Sequence, residues 1–475
     1  MSSEAAESSR AGQVEESGEE KAGWSRQRPW VALVSVPVVV SNEDEQAQKI
    51  LPGTDVLLDF QDPPRPSYLV LPERIVPDPK FDNCFPYIVA THPSGRLIFH
   101  ATQSRGNLNT AYFLCDAHSR TATRLPDVPV SQLRFNLRPR RSIGLIAYPR
   151  RTGHYIVAQL HPTSSTRHDT LLYYSTHTHE WAVKRLASSP DHKPWGAHGV
   201  FSHDGMLWWV DVAYGMLTCD PFADLPHLRF VPLPFGSEMD DAVVHRVFLD
   251  QRRCVRPSEG KLRYVEIRGL PLPHDPTAAV SSLPDYAAVC MWTLVDPEGP
   301  NHWEFEYEAP FSEIWADEGY IKAGLPPQKV PALALVHPNN HAVVYFFHGT
   351  SLFAVDMRAR RVLDCEECLI DHHLQLQFQT SRFVDAWELP PTLLRIDPSA
   401  AGMEGPEDGE LSMTDLMWGS DEELASLMSQ MELKSQADEE LSLVELMNML
   451  KDLAPSSESS PWSSPSDASD QADEP

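Results

Sequence analysis

The segment from Trp195 to Pro234 contains four strand-like runs and three turns in forty residues. Its first turn is Asp204-Gly205, a pair suited to the positive φ angles of a type I′ hairpin turn. The run after that turn, Met206-Leu-Trp-Trp-Val210, is apolar on both alternating faces, so we expect it to be covered on both sides. The fourth run alternates polar with apolar residues, as an edge strand does. Four antiparallel strands with graded burial predict one blade of a β-propeller.

Imperfect copies of this unit occupy most of the chain. Their third strands, anchored on Tyr112, Leu171, Met216, Met291 and Leu352, are separated by 59, 45, 75 and 61 residues. That scatter is too large for a solenoid and suits blades with loops of variable length. A sixth sheet is predicted from the N-terminal strands, with a strand near residues 383–389 closing the ring and removing exposed edges.

The sequence therefore predicts an all-β, β-propeller-like fold of about six four-stranded blades, with a β-sandwich as the alternative. Forty-two prolines suit short strands with hard stops. Because residues 30–389 show no sustained 3.6-residue period, α/β folds are disfavoured. The predicted organisation is a disordered acidic N-terminus (1–29), the propeller-like domain (30–397), an acidic tail with two short helices (398–455) and a disordered end (456–475).

The net charge of −28 is concentrated at the end of the chain. Residues 401–475 carry nineteen acidic residues and two lysines, which is −17. An acidic chain argues against nucleic-acid binding, which needs a basic face. Seven cysteines make a disulfide framework improbable and favour a reducing compartment. With no signal-like N-terminus, and an apolar run of only residues 31–40, we expect a soluble cytoplasmic or nuclear protein that does not enter a membrane.

Several short stretches together resemble a known family. They are Trp30-Val-Ala-Leu33, Tyr112-Phe-Leu-Cys-Asp116, Ala122-Thr-Arg-Leu-Pro126, Ser202 to Asp211, Cys219-Asp-Pro-Phe222 and Gly260-Lys-Leu-Arg-Tyr-Val265. In their order they are similar to the plant domain-of-unknown-function family 1618, which is much expanded in grasses. The likeness covers residues 30–396 and implies a β-propeller-like domain without an established biochemical role. The strand pattern also resembles F-box-associated and kelch propellers, but residues 1–29 are too short and polar for an F-box bundle.

Two motifs suggest chemistry, and each also has a simpler structural interpretation. Ser202 to Trp208 is similar to the Asp-box of sialidase-type propellers, but it occurs once and is one residue short, so it is interpreted as a hairpin turn. Cys365-Glu-Glu-Cys368 with His372-His373 offers the sulfur and nitrogen ligands that zinc prefers. Zinc modules normally have two separated ligand pairs, so we predict no metal site here.

No phosphate-binding loop, nucleophile elbow or kinase signature is present in the sequence. We therefore predict no catalytic residues and no cofactor. A propeller glycosidase or a carbohydrate-binding protein is an alternative hypothesis, and it requires carboxylates placed across a cleft.

The acidic tail contains a duplicated motif, E-L-S-x-x-[DE]-L-M, at residues 410–417 and 440–447. Ser420 with Glu423, and Ser442 with Glu445, form capping boxes that start helices. Apolar residues of the motifs and helices are the predicted partner-binding residues. They are Leu411, Met413, Leu416, Met417, Leu424, Leu427, Met428, Met431, Leu441, Leu443, Leu446, Met447 and Leu450.

These helices are predicted to dock weakly in a groove of a protein partner. Burying four such side chains gives about 6–12 kcal/mol, from which coupled folding takes about 2–5 kcal/mol and association several more. The alternatives are docking on the propeller's own surface and an incidental duplication. The function predicted from the sequence is a non-enzymatic protein–protein interaction module of uncharacterised role. A transcription-linked regulator that uses the acidic tail is an alternative.

Removing the tail should change which proteins the chain binds. We expect a chain that ends at Ser399 to lose part of the partner set of the full chain in proximity labelling. An unchanged partner set would contradict the docking role of the duplicated motif.

Overall fold

The computed structural model describes residues 28–77, 85–104, 109–129, 142–161, 169–187, 190, 195, 198–239, 246–270, 286–299, 301–368 and 380–393. The acidic tail and the disordered end predicted from the sequence lie outside these residues, as does nearly all of the predicted disordered N-terminus. Among the described residues, the helices are too short and too polar to cross a bilayer.

The described part of the chain consists mainly of strands. In chain order they are β1 (Trp30–Val34), β2 (Val38–Val40), β3 (Leu57–Asp59), β4 (Pro66–Pro72), β5 (Tyr87–His92), β6 (Arg96–Ser104), β7 (Asn109–Asp116), β8 (Thr121–Arg124), β9 (Ile143–Ala147), β10 (Tyr155–His161), β11 (Thr170–Ser175), β12 (Glu180–Arg185), β13 (Gly199–His203), β14 (Met206–Asp211), β15 (Gly215–Cys219), β16 (Arg229–Pro232), β17 (Arg253–Ser258), β18 (Lys261–Arg268), β19 (Ala288–Leu294), β20 (Trp303–Pro310), β21 (Ala332–Val336), β22 (Val343–His348), β23 (Ser351–Asp356), β24 (Arg361–Glu367) and β25 (Val384–Glu388). Short helices lie in the connections: α1 (Glu45–Gln48), α2 (Arg246–Arg252), α3 (Phe311–Trp315) and α4 (Glu318–Lys322).

Five sheets each contain four antiparallel strands that follow one another along the chain. We call them blades 1 to 5, formed by β5–β8, β9–β12, β13–β16, β17–β20 and β21–β24. Blade 3 is the four-stranded unit predicted within residues 195–234. Its first hairpin pairs His203 with Met206, and φ is positive at both Asp204 and Gly205, as a type I′ turn requires. The all-β propeller prediction is confirmed, and the sandwich alternative is wrong.

The prediction of six four-stranded blades is wrong, because only five such blades are present among the described residues. The N-terminal strands instead form a five-stranded sheet, which we call the closing sheet. Its order is β2-β4-β1-β25, with β3 paired to β4. β4 pairs in parallel with both β1 and β2. Parallel pairing needs a long connection in place of a hairpin, and residues 35–65 between β1 and β4 provide one.

The predicted ring closure is present in the closing sheet. β25 pairs antiparallel with β1, from Trp30 opposite Glu388 to Val34 opposite Val384. β25 also contacts the innermost strands of blades 1 and 5, β5 and β21. The last described strand of the chain therefore joins the first strand to both neighbouring blades.

The hydrophobic core of the described residues is divided among the interfaces between neighbouring sheets. Each blade packs on the next, and the closing sheet packs on blades 1 and 5. In β14, Trp208 packs toward blade 4 and Trp209 packs toward blade 2, and both side chains are buried. The expectation that this strand is covered on both faces is confirmed.

Trp387 in β25 tests how much the closing sheet contributes to stability. Its side chain is 1% exposed, and its indole N–H donates to the carbonyl oxygen of His92 in blade 1, at 2.9 Å. Because Trp387→Ala leaves a large cavity at this interface, we expect a loss of about 3–5 kcal/mol in unfolding free energy.

Urea denaturation followed by circular dichroism measures this loss. Leu225→Ala is the control, because Leu225 is 55% exposed and its truncation should change stability by no more than about 0.5 kcal/mol. Equal midpoints for the two variants would contradict the role assigned to the closing sheet.

Candidate functional site

The connection from β16 to α2 exposes a phenylalanine on a fixed loop. Leu233 and Ser237 are buried, whereas Phe235 between them is fully exposed. Ser237 donates its backbone N–H to the carbonyl oxygen of Pro234, at 2.9 Å. Gly236 has φ +81°, a conformation that glycine adopts readily. The loop is therefore anchored on both sides of an aromatic side chain that stays exposed among the described residues.

A buried polar network holds this loop against blade 4. The side chain of Ser237 donates to Oε2 of Glu266 at 2.8 Å, and Arg253 donates to the Ser237 carbonyl oxygen at 2.7 Å. Glu266 also accepts from Arg253 at 2.5 Å and from Arg268 at 3.1 Å. Its side chain is only 7% exposed, and Arg268 is 40% exposed. Two guanidinium groups share one carboxylate, so these three charged groups carry a net charge of +1.

The strand pattern of β18 places the network at the interface with blade 3. Side chains two residues apart lie on the same face of a strand, so Tyr264, Glu266 and Arg268 point together. Tyr264 belongs to the core cluster between blades 3 and 4, whereas Val265 and Ile267 belong to the cluster between blades 4 and 5. Burial raises the pKa of Tyr264, so its hydroxyl stays protonated.

Arg268 connects the loop to the aromatic side chain of Trp292, and the residue after it packs on the backbone of Tyr286. Its guanidinium carbon lies 4.5 Å from the centroid of the Trp292 ring, a cation–π contact. It also donates to the hydroxyl oxygen of Ser237 at 3.0 Å. The next residue, Gly269, packs so closely on Tyr286 that an added Cβ would lie 2.2 Å from the Tyr286 carbonyl oxygen. The side chain of Tyr286 is 74% exposed.

We call Phe235, Arg268 and Tyr286 the aromatic–arginine patch. Phenylalanine, tyrosine and arginine are enriched in protein–protein interfaces, and arginine and tyrosine are frequent hot-spot residues. The thiol of Cys290, in the neighbouring strand, has its pKa raised to about 12 by burial and by the charge of Glu308. Burial, with the charge of Arg253, lowers the pKa of Arg252 to about 10, so that side chain is still cationic at neutral pH. Within the patch itself, Phe235 and Tyr286 offer apolar contact, and Arg268 offers hydrogen bonding and positive charge.

A second polar cluster lies between blades 4 and 5. Arg263 donates to Glu306 at 2.7 Å and to Glu259 at 3.3 Å. His341 bonds to Glu259 through Nδ1, and Arg358 lies 2.9 Å from its Nε2. Because a guanidinium only donates, Nε2 of His341 must accept, and the ring proton is on Nδ1.

Glu306 lacks the property that a glycosidase acid requires. Burial would raise the pKa of Glu306, but the hydrogen bond from Thr293 and the charge of Arg263 outweigh it and hold the pKa below its usual value. A glycosidase acid needs a raised pKa, so that it is protonated near neutral pH. Glu306 therefore does not fit the role of a catalytic acid.

The cysteines of the C-x-x-C motif lie on opposite sides of blade 5. Cys365 packs on the core between blades 4 and 5, and Cys368 belongs to the core between blade 5 and the closing sheet. The two thiols therefore cannot share one zinc ion, and His372 and His373 lie outside the described residues. Within the described ranges, no group of three or more His, Cys, Asp or Glu side chains is arranged to hold a metal ion.

The thirteen partner-binding residues predicted from the sequence, from Leu411 to Leu450, lie outside the described residues, and their role stays a prediction. The aromatic–arginine patch was not predicted from the sequence. A local signal was available in Pro234-Phe235-Gly236, where an aromatic residue stands between two loop-forming residues. No local sequence pattern indicated that Arg268 would belong to the patch.

Comparison with known proteins shows a similarity to one protein family. Residues 209–345 match the family model "Protein of unknown function (DUF1618)". The resemblance to this family predicted from the sequence is confirmed over residues 209–345, whereas the plant origin is not shown. The matched segment contains the three residues of the aromatic–arginine patch. No curated protein matches the chain significantly.

Solved structures also match the chain. Apo AztD from Citrobacter koseri is 12% identical, with 60% of this chain and 58% of AztD covered and a TM-score of 0.29. The β-propeller domain of Cps50 (Swd1) from Myceliophteria thermophila is 7% identical, with 60% and 87% covered and a TM-score of 0.29. A chain of the mitotic checkpoint complex is 7% identical, with 76% of each covered and a TM-score of 0.29. The chain spans less than two thirds of AztD, and TM-scores this low carry no argument about function.

The network around Glu266 should be needed for stability. Glu266→Ala leaves two arginines at this interface without their shared carboxylate, so we expect a loss of about 3–5 kcal/mol in unfolding free energy. Glu298→Ala is the matched control, since it breaks an Arg229–Glu298 pair whose glutamate side chain is 73% exposed. The control should lose less than about 1 kcal/mol. Similar denaturation midpoints for the two variants would contradict the importance of the buried network.

Proposed function

We propose that the protein is a non-enzymatic protein–protein interaction module and that the aromatic–arginine patch is its binding surface. The observation that carries the proposal is the complete exposure of Phe235 on a loop whose flanking residues are buried. An apolar ring held in water costs free energy that a partner recovers by covering it. Burial of one such side chain contributes about 1.5–3 kcal/mol.

The anchoring of the loop supports this proposal. Binding is weakened when flexible segments must be ordered. Ser237 is already fixed by Glu266, Arg253 and Arg268, so little ordering of this loop is needed. The partner surface that fits the patch combines an apolar pocket for Phe235 with a carboxylate that can accept from Arg268.

The acidic tail supports a second docking element within the same proposal, because its E-L-S-x-x-[DE]-L-M motif occurs twice. In a transcription-linked regulator this tail would act as the activating segment, and a reporter fusion of residues 398–475 tests that version. Reduced cysteines in the interior suit the cytoplasm or nucleus.

The proposal predicts that partners are lost when the patch is made polar. We expect Phe235→Ser combined with Tyr286→Ser to reduce the captured amount of each reproducible partner about tenfold in quantitative affinity capture. A loss of about 1.4 kcal/mol in binding free energy corresponds to that factor. Both side chains are exposed, so thermal stability should not change.

The matched control replaces two exposed apolar residues elsewhere. Leu51→Ser with Ile321→Ser removes side chains that are 54% and 65% exposed, and it should leave the captured set unchanged. Partners that survive the patch variant at wild-type levels would overturn the assignment of the binding surface.

A further inference from the structure

A cleft of about 330 Å³ lies where the closing sheet meets blade 5. Its apolar walls are Trp30 and Phe60, and its polar lining includes Arg28, Asp62, His337 and Asn339. This volume is within the range of small-ligand pockets. The cleft is lined by the β21–β22 turn, whereas the aromatic–arginine patch is on connections at the other ends of the strands.

The aromatic walls are held in place by neighbouring rings. Trp30 meets His337 edge to face, with ring centroids 4.8 Å apart, and meets Tyr345 in the same way at 5.7 Å. Phe60 packs edge to face on Trp387 at 6.0 Å. The amide of Asn339 donates to the carbonyl oxygen of Arg28 at 2.8 Å, which ties the turn of blade 5 to the start of β1.

His337 contributes a hydrogen-bond donor without a charge. The backbone N–H of Asn339 donates to its Nδ1 at 3.0 Å, so that nitrogen is an acceptor. Burial lowers the pKa of His337, although the charge of Glu259 acts in the opposite direction. The ring is therefore neutral at pH 7, with its proton on Nε2. A carbonyl oxygen of a ligand is a suitable acceptor for that proton.

The charged groups of the cleft leave one carboxylate uncompensated. Arg28 pairs with Glu388 at 3.5 Å, which cancels its charge. The carboxylate of Asp62 has no ion-pair partner within 4.0 Å among the described residues, and Asp62 is exposed. The lining of the cleft therefore includes one carboxylate without an ion-pair partner, that of Asp62, together with the rings of Trp30 and Phe60, an arrangement that suits a cation.

We propose that this cleft binds an arginine residue of a partner protein. The planar guanidinium can stack on an aromatic wall while it donates to Asp62 in a bidentate pair, which the ammonium group of lysine cannot do. The main-chain carbonyl of the same arginine then accepts from His337. This site is independent of the aromatic–arginine patch, and each can be tested without the other.

The test uses the full chain and short peptides that carry an uncharged dye. The probes are acetyl-Gly-Arg-Gly-amide and its counterparts with citrulline and with lysine, measured by fluorescence anisotropy. Citrulline has nearly the shape of arginine without the charge. We expect the arginine peptide to bind at least about tenfold more tightly than the citrulline peptide. The lysine peptide should fall between them.

Two aspartate variants locate the binding. Asp62→Asn should lower the affinity for the arginine peptide at least about tenfold and leave the affinity for the citrulline peptide unchanged. Asp224→Asn, at an exposed aspartate of the β15–β16 connection, should change neither. Any one of three results would overturn the proposal. They are no binding of the arginine peptide, equal affinity for the arginine and citrulline peptides, and wild-type affinity of the Asp62→Asn variant for the arginine peptide.

Discussion

Each blade of this protein has two apolar faces, and the need to bury both of them determines the ring. In β14, the adjacent residues Trp208 and Trp209 belong to different interfaces, one toward blade 4 and one toward blade 2. In β22, Tyr345 and Phe346 divide in the same way between the closing sheet and blade 4. A two-sheet sandwich would leave one of these faces in water, at a cost proportional to the apolar area. A row of such sheets covers every face only when it closes on itself.

Closure depends on a pairing between the two ends of the described chain. β1 and β25 are separated by about 350 residues, but the entropy cost of closing a loop rises only slowly with its length. The backbone N–H of Leu389 donates to the carbonyl oxygen of Pro29 at 2.8 Å and extends this pairing by one step. The cleft beside Trp30 lies at the same seam, where the start of β1 meets the turn between β21 and β22. The proposed arginine site thus follows from the way in which the ring is closed.

Charged side chains between the blades hold the connections in defined positions. Glu266 is shared by Arg253 and Arg268 and fixes the loop of Ser237. A buried carboxylate is tolerated only where cations and hydrogen-bond donors compensate for its lost hydration. In the proposed interaction this compensation matters, because it fixes the loop that exposes Phe235 before a partner binds.

The sequence by itself determined the strands of the blades and the faces that they bury. Asp204-Gly205 and the apolar run from Met206 predicted the first hairpin of blade 3, because a hairpin depends on neighbouring residues. The number of blades was decided by tertiary structure, since β4 pairs in parallel with β1 and β2 across long connections. The positions of the residues in the proposed binding surfaces were also decided by tertiary structure. Arg268 meets Ser237 only after blades 3 and 4 pack, and the exposure of Phe235 is a property of the assembled surface. The local sequence pattern determines strands and turns. Which residues contact each other across the blades depends on long-range packing, which cannot be inferred from any single segment.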